Sequence, residues 1–122
     1  ALAQGKWVLC DRFIDSTFAY QGFGRHLGKT DELAKIQSLI DNFVPILPDV
    51  TVWLDLPVLE GMDRAKNRGK LDRFEQEQIA FFERVYQGFA YQAKLYADRI
   101  RRVDAKGNVA LVKARVLSAI GI

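Results

Sequence analysis

Asp11-Arg12-Phe13-Ile14-Asp15-Ser16-Thr17-Phe18-Ala19-Tyr20-Gln21-Gly22-Phe23-Gly24-Arg25 follows directly on the apolar run Trp7-Val8-Leu9-Cys10, and this junction decides how the chain is read. Four apolar residues without polar alternation describe a strand buried on both faces of a parallel sheet. Such a strand delivers Asp11 and Arg12 to its carboxyl end, where open α/β sheets collect their ligands. Asp15 and Ser16 are good cap residues and predict a helix that starts there. Thr17, Tyr20 and Gln21 then fall at i, i+3 and i+4, with their polar groups on one side. Arg12 offers a planar donor fork suited to phosphate, and the nearby hydroxyls and amide can read a sugar and a base. The same residues also suit a helix N-terminus with a structural Asp–Arg pair, and the dipeptide alone does not separate the two readings.

Outward from this segment, two more short runs end in aspartate. Val50 to Leu54 precede Asp55, and Arg99 to Val103 precede Asp104. The first is nearly continuous in apolar residues; the second is more polar and suits an edge strand. Helical patterns lie between and beyond these runs. Leu33, Ile36, Ile40 and Phe43 predict a helix closed by Pro45 and Pro48. Pro57 suits the first turn of a second helix. Ile79, Phe82, Tyr86, Phe89, Ala93 and Tyr96 form a long apolar stripe, and Val109, Val112, Val116 and Ile120 predict a terminal helix. Alternating strands and helices imply right-handed crossovers, a parallel sheet, and three aspartates sharing one edge.

The 122 residues are 49% hydrophobic, enough for one packed domain. A formal charge of +3 describes a mixed surface and gives no case for a nucleic-acid partner. Cys10, the single cysteine, has no disulfide partner, and its apolar neighbours predict a buried, inert thiol. His26, the single histidine, reads as a solvated loop residue. With no signal peptide and no apolar stretch near twenty residues, a membrane is not expected and the cytoplasm is the expected compartment. The opening Ala1-Leu2-Ala3-Gln4-Gly5-Lys6 has the pattern of a helix end closed by glycine before a turn, as if the chain began mid-fold.

A second chemical constellation is Arg64-Ala65-Lys66-Asn67-Arg68-Gly69-Lys70-Leu71-Asp72-Arg73-Phe74-Glu75. A basic run of this kind is ordinarily a solvated face. Hinged at Gly69 beside a phosphate site, it can also close over a nucleotide, exclude water and place guanidinium charge on a transferring phosphoryl group.

Taken together, Asp-Arg-aromatic, two residues, Ser, two residues, Ala-Tyr-Gln-Gly, one residue and Gly-Arg resemble the monophosphate-binding motif of thymidylate kinases over fifteen positions. The basic run with its Leu-Asp-Arg-Phe-Glu exit resembles the lid of the bacterial enzymes. Phe81 to Phe89 and Val103-Asp104-Ala105 resemble the family's last long helix, last strand and adenine-side loop. The resemblance spans essentially the whole chain. It implies an incomplete P-loop nucleoside-monophosphate-kinase fold: α/β, three parallel strands with packed helices, the P-loop strand absent. One partial domain is implied, with the monophosphate region at 1–56, a helix and lid at 57–75, and the C-terminal helices and last strand at 76–122.

The resemblance also implies phosphoryl transfer from ATP to dTMP, with Mg2+ accompanying ATP. Arg12 would contact the dTMP phosphate, and Asp11 would sit near the transfer centre and, indirectly, its metal. Ser16, Thr17, Tyr20 and Gln21 would line the nucleoside pocket, with Tyr20 near the deoxyribose. Phe13 departs from the Tyr or His often found there, which puts a polar role at that position in doubt. Arg68 would be the catalytic lid arginine, Arg64 and Arg73 its neighbours on the ATP phosphates, and Asp72 and Glu75 the acidic pair. Asp104 and Ala105 would border adenine.

No Gly-x-x-x-x-Gly-Lys-Ser/Thr run occurs in the chain, so the isolated 122 residues are expected to be inactive. In the family the P-loop strand lies between the first two strands retained here, so the exposed edges predict a homodimer, a higher or swapped assembly, or an N-terminal partner that supplies the missing part. Two other readings remain open at this level. One is a deoxynucleoside kinase relative; the other is a non-catalytic nucleotide-binding or dimerising module.

Overall fold

The computed structural model describes residues 1–66 and 75–122. A short turn at Leu2–Gln4 leads to α1 (Ile14–Thr17), which runs straight into a π-helix over Phe18–Arg25. Then follow α2 (Thr30–Phe43), β1 (Thr51–Asp55), α3 (Val58–Lys66), α4 (Glu75–Leu95), β2 (Ile100–Asp104) and α5 (Val109–Ala119). The β1–β2 pair is parallel, with Thr51 opposite Ile100 and Asp55 opposite Asp104.

Each helix has a local cause. Asp31 and Glu32 in the first turn of α2 complement its N-terminal dipole, and the chain turns extended at Val44, ahead of Pro45. Asn108 caps α5 by accepting the Leu111 N–H at 2.8 Å. Gly5 takes φ 71°, a left-handed value that ends the first turn at little steric cost.

The expectation of three strands is corrected to two among the described residues. Trp7–Cys10 forms no strand, because no neighbouring strand of this chain offers it a hydrogen-bonding ladder. Its side chains stay outside, with Trp7 82% and Leu9 99% exposed. Cys10, expected to be buried, is exposed for the same reason, and its Sγ donates to the Arg12 carbonyl at 3.1 Å. Nor is β1 buried on both faces; α4 covers one side, whereas Leu54 points outward.

The core lies around α1 and the π-helix. Ile14, Phe18 and Ile40 form its centre, with Phe23, Leu33, Ile36 and Val44 against them. The π-helix lies close on α4. A Cβ on Gly88 would stand 2.9 Å from Ala19 Cα, and one on Gly24 would stand 2.7 Å from the Phe81 ring. These approaches require glycine. Large apolar side chains remain uncovered among the described residues, Leu9, Trp7, Phe43 and Val109 among them. None of the described helices is long and apolar enough to cross a membrane.

Candidate active site

The helix carrying the polar motif starts at Ile14, two residues earlier than a cap at Asp15 would give. Phe13 occupies the N-cap position without a side-chain cap bond, and Asp15 lies inside the helix. Its carboxylate is engaged elsewhere: Arg99 Nη1 donates to Asp15 Oδ2 at 2.7 Å and Nη2 to Oδ1 at 2.9 Å. Both side chains are nearly buried. A bidentate, charge-assisted pair outweighs the single N-cap bond Asp15 could otherwise make, worth about 1 kcal/mol. Asp15 raises the pKa of Arg99 further by hydrogen bonding, against the opposing effect of burial.

Beyond Thr17 the hydrogen-bonding step lengthens to the π form. The α-helical i, i+3, i+4 alignment of Thr17, Tyr20 and Gln21 is thereby lost. Thr17 and Gln21 are exposed, Ser16 is half-buried, and Tyr20 turns toward α4. The Tyr20 ring lies 6.0 Å from Phe81 and 6.4 Å from Phe89. Arg12 comes over that ring at 5.5 Å, and its Nη1 reaches the Tyr20 hydroxyl at 3.5 Å. Asp11 and Arg12 are both exposed, so the guanidinium keeps donors free for an anion.

A second group assembles at the carboxyl ends of the strands. Asp55, Pro57, Tyr86, Arg102, Asp104 and Lys106 line an open cleft of about 460 Å³. Arg102 directs both Nε and Nη2 to Asp55 Oδ2, donates to the Tyr86 hydroxyl at 3.2 Å and lies over Trp53 at 5.2 Å. Burial raises the Tyr86 pKa, and the adjacent Asp55 carboxylate adds to the effect. Arg64 donates Nη2 to the Ala105 carbonyl at 3.2 Å, which brings the end of α3 to the turn after β2. Asp104 Oδ1 accepts the Lys106 N–H at 2.9 Å.

Aromatic contacts connect the two groups. Phe89 touches Tyr20 on one side and stacks on Trp53 at 6.1 Å on the other, and Trp53 meets Tyr86 at 5.4 Å. Arg12 and Tyr20 thus share one stretch of α4 with the strand-end cleft. Arg68, Asp72, Arg73 and the Glu75 side chain lie outside the described residues.

Asp15 is read from the sequence as a cap and not as half of an ion pair, and Arg99, Arg102 and Gln92 are not read as site residues at all. The ion pairs are hidden because an acid and a base far apart in sequence give no local pattern. Gln92 is buried, with Nε2 donating to the carbonyls of Asp15 and Gly88 at 3.0 and 3.2 Å. A lone polar residue inside the aromatic stripe was its only available signal.

Among the described residues no cluster of three or more His, Cys, Asp or Glu could hold a metal by itself. Magnesium does not need one, since it binds through one or two carboxylates together with substrate phosphates. The exposed carboxylate of Asp11, next to Arg12, is compatible with that mode.

A guanidinium over a tyrosine, and a strand-end cleft lined by both acidic and basic side chains, stand on an α/β framework with a parallel strand pair. Comparison with known proteins narrows the class. Residues 1–116 match the family model described as thymidylate kinase. The chain is 58% identical over 120 residues to the thymidylate kinase of Psychrobacter sp. (strain PRwf-1), covering 98% of this chain and 58% of that protein. It is 51% identical over 105 residues to that of Acinetobacter baylyi, covering 86% and 50%. With the thymidylate kinase of Teredinibacter turnerae it shares 44% over 120 residues, covering 98% and 57%. The chain belongs to the thymidylate kinase family, a family of kinases and hence of transferases, and it spans somewhat more than half the length of these relatives.

Proposed function

We propose that this chain supplies the monophosphate-binding and lid part of an enzyme that transfers the γ-phosphoryl group of ATP to dTMP, giving dTDP. The observation that carries the reading is the Arg12–Tyr20 arrangement: an exposed guanidinium held over a tyrosine ring, with Nη1 on its hydroxyl, at the start of the segment that carries the family motif. Arg12 neutralises and orients the acceptor phosphate, and Tyr20 borders the deoxyribose. Ser16, Thr17 and Gln21 complete the nucleoside pocket.

Phosphoryl transfer asks little covalent chemistry of a protein; positioning and charge neutralisation do most of the work. Arg64, which donates to the Ala105 carbonyl, is assigned to the ATP phosphates, and Asp104 and Ala105 to the border of adenine. Arg68 brings positive charge to the transferring group, with Arg73 on the ATP phosphates and Asp72 and Glu75 as the acidic pair beside the nucleoside and lid. Mg2+ accompanying ATP would neutralise phosphate charge, and in this reading Asp11 is the carboxylate that would act on it, indirectly. The sequence of this chain has no Gly-x-x-x-x-Gly-Lys-Ser/Thr run. Taken alone, the 122 residues are therefore expected not to turn over.

The test measures ADP formation from ATP in a protein of the relatives' full length that carries this chain. ADP formation should depend on added dTMP and should fall to background for the isolated chain. ADP formed equally well without dTMP, or supported only by unphosphorylated thymidine, would contradict the reading; the second outcome would favour a deoxynucleoside kinase.

A further inference from the structure

Asp15 lies three residues beyond Arg12 and one before Ser16, yet it faces away from both, into the protein. Around it four elements meet. Arg99, just ahead of β2, grips the carboxylate with both terminal nitrogens. Arg99 Nη1 also donates to Thr51 Oγ1 at 2.9 Å, at the first residue of β1. The Thr51 hydroxyl lies 3.4 Å from Asp15 Oδ2, and the Thr51 N–H donates to the Arg99 carbonyl at 3.0 Å. From α4, the buried Gln92 amide holds the Asp15 carbonyl. Tyr96 lies beneath the guanidinium at 5.3 Å.

We propose that the Asp15–Arg99 pair is a positioning device for the acceptor site, locking the Arg12–Tyr20 segment onto the sheet so that Arg12 and Ser16 meet dTMP in register. This rests on the function proposed above. Burying two charges costs several kcal/mol, which complementary geometry only repays, so stability alone is a poor reason for such a pair. A planar fork clamped on a carboxylate does supply orientation. Orientation matters here because α1 is a single turn with no side-chain cap, followed by a π-helix. The local backbone has little of its own to fix its direction. Arg12 binds the acceptor and not the donor, so loosening its platform should affect one substrate selectively.

The test uses the full-length protein with Asp15→Asn, which keeps the shape and removes the charge, and Arg99→Lys, which keeps the charge and removes the fork. Loss of register should raise KM for dTMP about tenfold to a hundredfold in Asp15→Asn, and less in Arg99→Lys, since small misplacements remote from the reacting atoms have effects of that size. KM for ATP should stay within about twofold. Three results overturn the proposal: a lower melting temperature with both KM values unchanged, equal rises in the two KM values, or failure of both variants to fold. A wild-type protein without dTMP-dependent activity would instead undo the function proposed above, so the two failures are distinguishable.

Discussion

Arg12 sits over the ring of Tyr20 with 5.5 Å between guanidinium carbon and ring centre, although the two residues belong to different structural elements. A helix only one turn long separates them, and the pair survives because Tyr20 is wedged against Phe81 and Phe89 of α4. The cationic group proposed above for the acceptor thus gets its direction from packing on a helix far along the chain.

Close packing of the π-helix on α4 makes an opposed pair of glycine predictions. In Gly88→Ala the new Cβ meets backbone at Ala19 Cα, 2.9 Å away. Overpacking of about 1–3 kcal/mol should exceed the helix-propensity gain of about 1 kcal/mol, leaving the variant less stable. Gly61→Ala, in α3 with its nearest contact at 3.8 Å, should gain about 0.5–1 kcal/mol. Denaturant midpoints of the two variants should move in opposite directions; a stabilised Gly88→Ala would mean that the π-helix does not rest on α4 as described.

Tyr86 gives a pH signature. Burial, then the Asp55 carboxylate, raises its pKa above the ordinary value of 10.0. The folded state therefore holds this proton more tightly than the unfolded chain. The contribution to stability is fully present below about pH 10 and is lost as the pH climbs through the raised value. Ultraviolet titration of the phenols should show a late component that disappears in Tyr86→Phe. A late component that persists in the variant would assign it to another tyrosine.

The uncovered surface predicts assembly of the isolated chain. Trp7, Val8 and Leu9 are exposed in a row, and among the described residues β1 and β2 each have one strand neighbour. Unpaired strand edges beside such apolar surface favour association. Light scattering of the isolated 122-residue chain should find dimers or larger species at micromolar concentration. A well-folded monomer would show that the chain covers this surface on its own.

Arg68 carries the proposed role on the donor side. Arg68→Ala in the full-length protein should lower kcat about a thousandfold, in the range typical of a transition-state arginine, with little change in KM for dTMP. Unchanged turnover would move that role to Arg64 or Arg73.

Much of the architecture was legible in the sequence. The helix ending before Pro45, the strands before Asp55 and Asp104, and the terminal helix all follow from local periodicity and stop signals, which need no distant partner. Trp7–Cys10 reads as a strand by composition but does not become one, because a strand requires a neighbour and composition alone cannot supply it. At the site, Arg12 and Tyr20 were readable because they lie in one continuous motif. Asp15 was misread as a cap because its true partner, Arg99, stands 84 positions away. The π-helix was not legible either; its glycines at 22 and 24 were visible, but their reason lies in Leu33 and Phe81, which crowd them in space.

Calorimetric titration of the full-length protein with dTMP and with thymidine, in wild type and Arg12→Ala, tests whether Arg12 recognises the acceptor's phosphate. Wild type should favour dTMP, and Arg12→Ala should lose most of that preference, by about 1.5–3 kcal/mol for a charged hydrogen bond, while thymidine binding hardly changes. Equal losses for both ligands, or an undiminished preference for dTMP, would contradict that recognition.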